Sequence, residues 1–389
     1  MQKFASVFCV VCLCTLSFWV TGCLTSDQHP ADNYPEPFFG QLLQGDSLVS
    51  PVPQQVAKRT FENPVSVISA LYAVTPEQAT AEISEDMILE SPVYGSIDQG
   101  GEHLYLMETS TMRVNKYALS NGQLVSVMTA AQEYRKASNY IANIKVMPND
   151  EVWMYGAGPR EILRVSPEDE ILGVIETAGN DNTILMESGL QVKTNSLNER
   201  ELFHIYTADG EKESSFGILS SERYEINGIE MVGHGLGFAG WTSTNGDDSF
   251  IYVGNWGGGM ISFNIDGSLR FFRESLVPAP FPGSIPSGDR DNTMSVDMEG
   301  VKEQHMALNV WHNVYYEYIF DLEEGGRFVD AYSYVTGDYL YSIPNPDDCW
   351  IYFITDSAIY ANCEAQGFVQ FEREIKPGSD DLLSENLRQ

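Results

Sequence analysis

Basic residues are what this sequence has least of. Its 389 residues hold 22 Lys plus Arg against 55 Asp plus Glu, a formal net charge of −33. Such a field repels nucleic acid and anionic lipid, which removes both as partners recognised by charge. A cationic partner, a divalent cation or a saline habitat each fits the acidic excess. So does a plain solvated surface, because net charge speaks to solubility and not to fold. Histidine is scarce too. None of His29, His103, His204, His234, His305 and His312 forms a pair at the spacing by which a helix presents a metal. There is no Gly-x-Ser-x-Gly elbow, so a hydrolase nucleophile lacks local support. Cysteine numbers only six, and four of these fall within the first 23 residues.

What is present begins with an export signal. Lys3 gives a positive start, and Phe4 to Val20 forms an apolar run too short to span a bilayer comfortably. The run ends in Val20-Thr21-Gly22-Cys23, which resembles the bacterial lipobox. That resemblance implies removal of residues 1–22 and acylation of Cys23, palmitate included. Two or more chains anchor stably where one does not. An uncleaved membrane helix is the alternative. Residues 23–60 carry Pro30, Pro35, Pro37, Pro51 and Pro53 among polar residues without a sustained period, and read as a flexible tether. As a coil it would reach roughly 35 Å. Cys9, Cys12 and Cys14 leave with the signal, so Cys9-Val10-Val11-Cys12 carries no redox chemistry. Cys349 and Cys363 alone remain. A hairpin turning on Asp356 sets them directly opposite each other, close enough to bridge. A disulfide is expected in an oxidising compartment, with two buried thiols as the alternative.

A strand-turn-strand phrase then recurs six times, starting at Leu104, Val152, Leu190, Phe250, His305 and Trp350. Each phrase supplies three strands. A further strand precedes each, at Pro92, Ile141, Asn182, Gly235, Thr293 and Asp338. The last turns fall near Gly122, Glu170, Gly210, Gly267, Gly325 and Gly367, where Gly permits the positive φ of a tight hairpin. The second copy has Pro167-Glu168-Asp169-Glu170 there and is expected to need a different turn. Four antiparallel strands per roughly 40–50 residues, repeated six times, predict an all-β, six-bladed β-propeller over residues 61–377. The strands are apolar on both faces, as blades sandwiched between neighbours must be. Ser66–Thr75 stands outside the six units and is available to pair with the last blade and close the ring. Residues 378–389 read as a polar tail.

The lipobox, the blade phrase and the loop Gly156-Ala157-Gly158-Pro159-Arg160-Glu161 together resemble the TolB-like six-bladed β-propeller lipoproteins of bacteria. Members of that family often carry a Gly-Pro-Gly-Glu-like loop early in the propeller. Here Arg160 replaces the last glycine.

Several motifs compete for a role. Gly235-Leu236-Gly237-Phe238-Ala239-Gly240 spells a dinucleotide fingerprint, but a polar turn and a strand follow where a helix is required. It reads as a glycine-rich inner strand. Asp247-Asp248 and Asp289-Arg290-Asp291 are oxygen-rich loops that could hold calcium or serve as ordinary acidic turns. Calcium is the sole cofactor suggested. Trp256, beside Gly257, Gly258 and Gly259, either stacks on a sugar or a partner protein or packs on the next blade. Arg160 and Glu161 are either contacts at a propeller face or a local ion pair. The expected protein is a lipid-anchored module of a Gram-negative outer membrane, on either side of it, binding an envelope protein or glycan. The alternative is a metal-dependent lactonase-like hydrolase or a lyase working in the central funnel.

Overall fold

The computed structural model describes residues 42–44, 46–61, 66–69, 93–108, 112–120, 123–134, 143–155, 161–176, 182–194, 201–219, 223–226, 229–232, 240–246, 248–257, 259–278, 284–286, 294–296, 301–346, 349–363 and 367–373. Six four-stranded antiparallel sheets dominate it, with a single short helix, Ala130–Tyr134. Blade 1 comprises Val93–Ile97, His103–Glu108, Arg113–Ala118 and Leu124–Met128. Blade 2 comprises Asn143–Val146, Val152–Tyr155, Glu161–Val165 and Ile171–Glu176. Blade 3 holds Asn182–Leu185, Gln191–Thr194, Phe203–Tyr206 and Lys212–Phe216. Blade 4 holds Gly240–Thr244, Ser249–Gly254, Met260–Asn264 and Leu269–Arg273. Blade 5 is Glu303–Trp311, Val314–Asp321, Arg327–Ser333 and Tyr339–Pro344. Blade 6 is Cys349–Ile354, Ala358–Cys363 and Gly367–Glu372, completed by Ser66–Ser69.

The strand Ser66–Ser69 pairs antiparallel with Gly367–Glu372, with Ser66 opposite Glu372. The N-terminal part of the wheel thereby zips onto its C-terminal end. The first strands of blades 6 and 1 also meet, so the circle is shut on the inside as well. Buried apolar residues fall into six clusters, one at each seam between neighbouring blades. In blade 4, Phe250, Tyr252, Ile261 and Phe263 pack on blade 3, while Ile251, Val253 and Met260 pack on blade 5. This period-2 division explains why the strands read as apolar throughout. The fold is a six-bladed β-propeller.

Three expectations are corrected. The strands at Thr293 and Asp338 do not open blades. Met294–Val296 belongs to a separate hairpin with Ser284–Pro286, and Tyr339–Pro344 is the outer strand of blade 5. The reading frame slips by one strand after blade 4 because the N-terminus supplies the last outer strand. Next, the turn Ser166–Glu170 is the same as its equivalents. Asp169 takes φ 65°, and the hydrogen bonds Ser166 N–Glu170 O and Asp169 N–Ser166 O repeat those of Thr207–Glu211 and Asn264–Ser268. Aspartate tolerates the left-handed region better than most residues. Its carboxylate meanwhile accepts from Thr129 N at 2.8 Å and Ala130 N at 2.8 Å at the start of the short helix. Finally, the described residues between Leu42 and Thr60, inside the segment expected to be a tether, are docked on the wheel. Leu42–Gln44 pairs with Ser47–Val49 and with Ile218–Leu219. Val52 and Phe61 then bridge in parallel to Arg273 and Ser342, the outer strands of blades 4 and 5. This belt continues into Ser66–Ser69. Its polar residues are bound by hydrogen bonds from Gln54 and Gln55 to blade backbone, which a search for apolar period does not see.

Cys349 and Cys363 are opposed in register and joined by a disulfide. A bulge between Ile351 and Phe353 shifts the register nearer the turn. With a sequence separation of 14, opening this loop by Cys349→Ala with Cys363→Ala should cost about 3 kcal/mol in urea unfolding. Asp169→Gly should relieve the turn and still destabilise by about 1 kcal/mol in the same assay, through the lost bonds at Thr129 and Ala130.

Candidate functional site

Because successive strands of a blade run antiparallel, its turns alternate between two faces of the wheel. The connections between blades and the turns joining second to third strands share one face. Glu161, opening the third strand of blade 2, and Trp256, between the second and third strands of blade 4, lie on that face. Asp248 is exposed in the turn between the first and second strands of blade 4, on the other face. The candidates are thus divided between faces. Cys23, Arg160, Asp247, Asp289 and Asp291 lie outside the described residues, as does most of the Gly235–Gly240 motif. Among the described residues no group of three or more His, Cys, Asp or Glu is arranged to hold a metal ion. No described helix is long and apolar enough to cross a membrane.

The seam between blades 4 and 5 buries several acidic groups among its aromatic ones. On blade 5, Tyr315, Tyr332 and Tyr339 pack toward blade 4. Glu317 and Asp330 lie two residues away along the same strands, directly opposite each other, and so face blade 4 as well. Ala307 opposes Glu317, which brings His305 and Glu303 to this side too. Both Glu317 and Asp330 are wholly buried. Ionised groups in such a place must be paired.

Arg59 of the belt supplies much of the pairing. Its Nη1 and Nη2 donate to Glu303 Oε1 and Oε2 at 2.7 and 2.9 Å, and its Nε donates to Asp330 at 3.0 Å. Ser342 Oγ donates to Asp330 at 2.6 Å. The guanidinium also lies 4.3 Å from the centre of the Phe328 ring. Burial opposes the charge on Arg59, but hydrogen bonds to Glu303 and Asp330 outweigh it and push its pKa up. His305 Nδ1 pairs with Glu317 Oε1 in full burial. Burial works against the imidazolium, yet the Glu317 carboxylate overcomes it and raises the His305 pKa. Burial likewise raises the Glu317 pKa, against the pull of His305.

Six buried polar atoms around this seam have no hydrogen-bond partner: Trp241 Nε1, Asn255 Oδ1, Trp256 Nε1, Ser275 Oγ, Tyr315 OH and Glu317 Oε2. Register sets Trp241, Asn255 and Ser275 at one end of the strands of blade 4, from its inner strand to just past its outer one. Trp241 opposes Val253, and Val253 opposes Met260, which opposes Arg273. Asn255 and Ser275 each lie two residues beyond that row. The Asn255 carbonyl accepts from His305 N at 2.9 Å, tying the turn to blade 5. Glycine makes the approach feasible. A Cβ on Gly240 would sit 2.1 Å from Val253 O, and one on Gly259, at φ 89°, 2.1 Å from Arg273 O. Trp241, Asn255 and Trp256 are partly exposed, so the cluster opens onto the same face as Glu161.

No family model and no curated protein matches the chain. Solved structures do. A putative exported protein from Bacteroides fragilis superposes with a TM-score of 0.50 at 7% identity, over 84% of this chain and 99% of that one. A DUF4221 family member from Bacteroides vulgatus gives 0.48 at 11% identity, over 75% and 94%. A virginiamycin B lyase from Staphylococcus aureus gives 0.43 at 10% identity, over 73% and 95%. At such identities the likeness to the exported protein concerns the fold, and the other two carry no argument.

Of these residues the sequence pointed to Trp256. Arg59, Trp241, Ser275, Glu303, His305, Tyr315, Glu317 and Asp330 come together only through strand register and the belt. The one signal on offer was Glu317 and Asp330 inside otherwise apolar strands.

Arg59→Met should cost about 3–5 kcal/mol in unfolding free energy by leaving Glu303 and Asp330 buried and unpaired. Replacing the two acids with Leu in the same chain should restore most of it. His305 and Glu317 both bind protons more tightly folded than unfolded. Their contribution is therefore complete below the ordinary carboxyl and imidazole values and is lost as pH rises through the raised ones. The stability gap between wild type and His305→Gln with Glu317→Gln should narrow from neutral to alkaline pH in urea titrations.

Proposed function

We propose that this chain is a lipid-anchored binding module of the bacterial cell envelope. It engages a protein or glycan partner through the face that carries Trp256 and Glu161, with Arg160 beside them in sequence. One observation carries the reading. The Asn255-Trp256 turn presents a half-exposed indole whose N–H, together with the adjoining amide oxygen, has no partner within the protein. A buried polar atom left unpaired costs about 1–3 kcal/mol. A ligand that pairs it recovers that cost, and Trp is among the side chains most often dominating an interface. The export-signal pattern and Cys23 support an envelope location, as does the description of the Bacteroides fragilis neighbour as exported. The membrane partner is the bilayer holding the acyl chains. The resemblance to TolB-like lipoproteins belongs to the same reading.

Two measurements test it. Cys23→Ala should move the chain from the membrane fraction to the soluble fraction of the cell. The full lipidated chain should retain an envelope protein or glycan on an affinity matrix, and Trp256→Ala should weaken retention about 30-fold, the size of a single hot-spot loss. Equal retention by the variant, or none by the wild type, rejects the assignment.

A further inference from the structure

We infer that the seam between blades 4 and 5 is a binding site for a neutral, hydroxyl-rich ligand of the saccharide class. The inference rests on the binding-module reading and names the chemistry of its ligand. Six buried polar side-chain atoms without a partner, on Trp241, Asn255, Trp256, Ser275, Tyr315 and Glu317, lie in or beside blades 4 and 5. Buried polar groups are ordinarily satisfied, and a concentration of unsatisfied ones marks a place for something not of the chain.

The inventory selects the class. Trp241 and Trp256 offer indole N–H groups, which donate and cannot accept. Glu317 Oε2 and Asn255 Oδ1 only accept. Ser275 and Tyr315 hydroxyls do both. A ligand must therefore present donors and acceptors in near equal number, which is the property of vicinal hydroxyls. A cation would meet the two N–H donors with the wrong sign. An anion would meet Glu317 beside Glu303 and Asp330, in a chain of net charge −33. The indole faces offer apolar area to the C–H face of a sugar ring. Trp241, Asn255 and Trp256 form the exposed end of the cluster, while Tyr315 and Glu317 are wholly buried. The ligand engages the first three directly and the deeper pair through water, which bridges polar groups nearly as well as direct contact.

The experiment is a 1H–15N spectrum of the full-length lipidated chain in detergent, labelled at tryptophan. Trp241→Phe and Trp256→Phe assign their indole signals. Glucose, galactose and N-acetylglucosamine are titrated singly at millimolar concentration, with sialic acid and calcium chloride as charged counterparts. The expected result is movement of the Trp241 and Trp256 signals with at least one neutral sugar and neither counterpart. Trp241→Phe should then bind that sugar roughly three- to tenfold more weakly, the loss of one neutral hydrogen bond. Movement of Trp153, Trp311 or Trp350 alone, an equal response to sialic acid or calcium, or no movement at all overturns the inference. If the indoles ignore every sugar while Trp256→Ala still loses an envelope partner, the saccharide assignment falls and the binding module stands.

Discussion

Ring closure is the constraint on which the rest of the molecule depends. A propeller blade cannot hide its two faces alone, and five seams mean nothing unless the sixth is made. Here the closing strand is Ser66–Ser69, drawn from the beginning of the chain and laid against Gly367–Glu372. To arrive there, the chain first crosses the outer edges of blades 4 and 5, where Val52 and Phe61 bridge to them. The belt thus bridges the outer edges of blades 4 and 5 and supplies the outer strand of blade 6. It also brings Arg59 to the one seam whose interior is acidic. The cation that neutralises Glu303 and Asp330 and the strand that closes the ring belong to a single stretch of backbone.

This arrangement sets what could be read in advance. Blade number and strand type were legible because every seam buries apolar residues at period 2, as Phe250 and Ile251 do on opposite faces. The cysteine pairing was reached from a turn centred on Asp356; the pairs next to the turn are centred half a residue later, and the bulge between Ile351 and Phe353 is what brings Cys349 opposite Cys363. The strand frame of blades 5 and 6 was not legible. A segment of strand character looks the same whether it opens one blade or ends the previous one, and only pairing decides. The belt was obscured because Gln54, Gln55 and Arg59 are polar, and a polar segment held by specific bonds reads in composition like a tether. Asp169 was misread for a related reason. Its left-handed φ suits the turn, while its carboxylate serves a helix start some forty residues away in sequence.

The seam between blades 4 and 5 differs in kind from its neighbours. Between blades 3 and 4, Phe203, Phe216, Phe250 and Phe263 interlock, Phe203 meeting Phe250 edge to face and the other pairs tilted, with ring centres 5.0–6.2 Å apart. In the next seam the corresponding depth is taken by Glu317, Asp330 and three tyrosines, and burial pushes Tyr315 and Tyr332 well above the ordinary phenol range. Buried ion pairs are seldom the most stabilising solution, since apolar residues of equal volume do as well or better. A sequence able to build the aromatic seam beside it was able to build another.

The asymmetry within that polar seam completes the argument. At its rim, Arg59 satisfies Glu303 and Asp330 with a bidentate fork and a further N–H bond, and Ser342 and Tyr339 extend the network to Thr60. Toward the face of the wheel, the polar atoms of Trp241, Asn255 and Trp256 are left open. Each orphan costs stability, and the groups bearing them are held rigidly by Gly240 and Gly259, whose close contacts leave no room for a Cβ. Rigid, desolvated donors and acceptors at a surface opening are what preorganised recognition needs, because the ligand then meets groups that lose little freedom on binding. The closed rim and the open mouth are two parts of one polar layer, the first serving the fold and the second serving whatever the wheel holds.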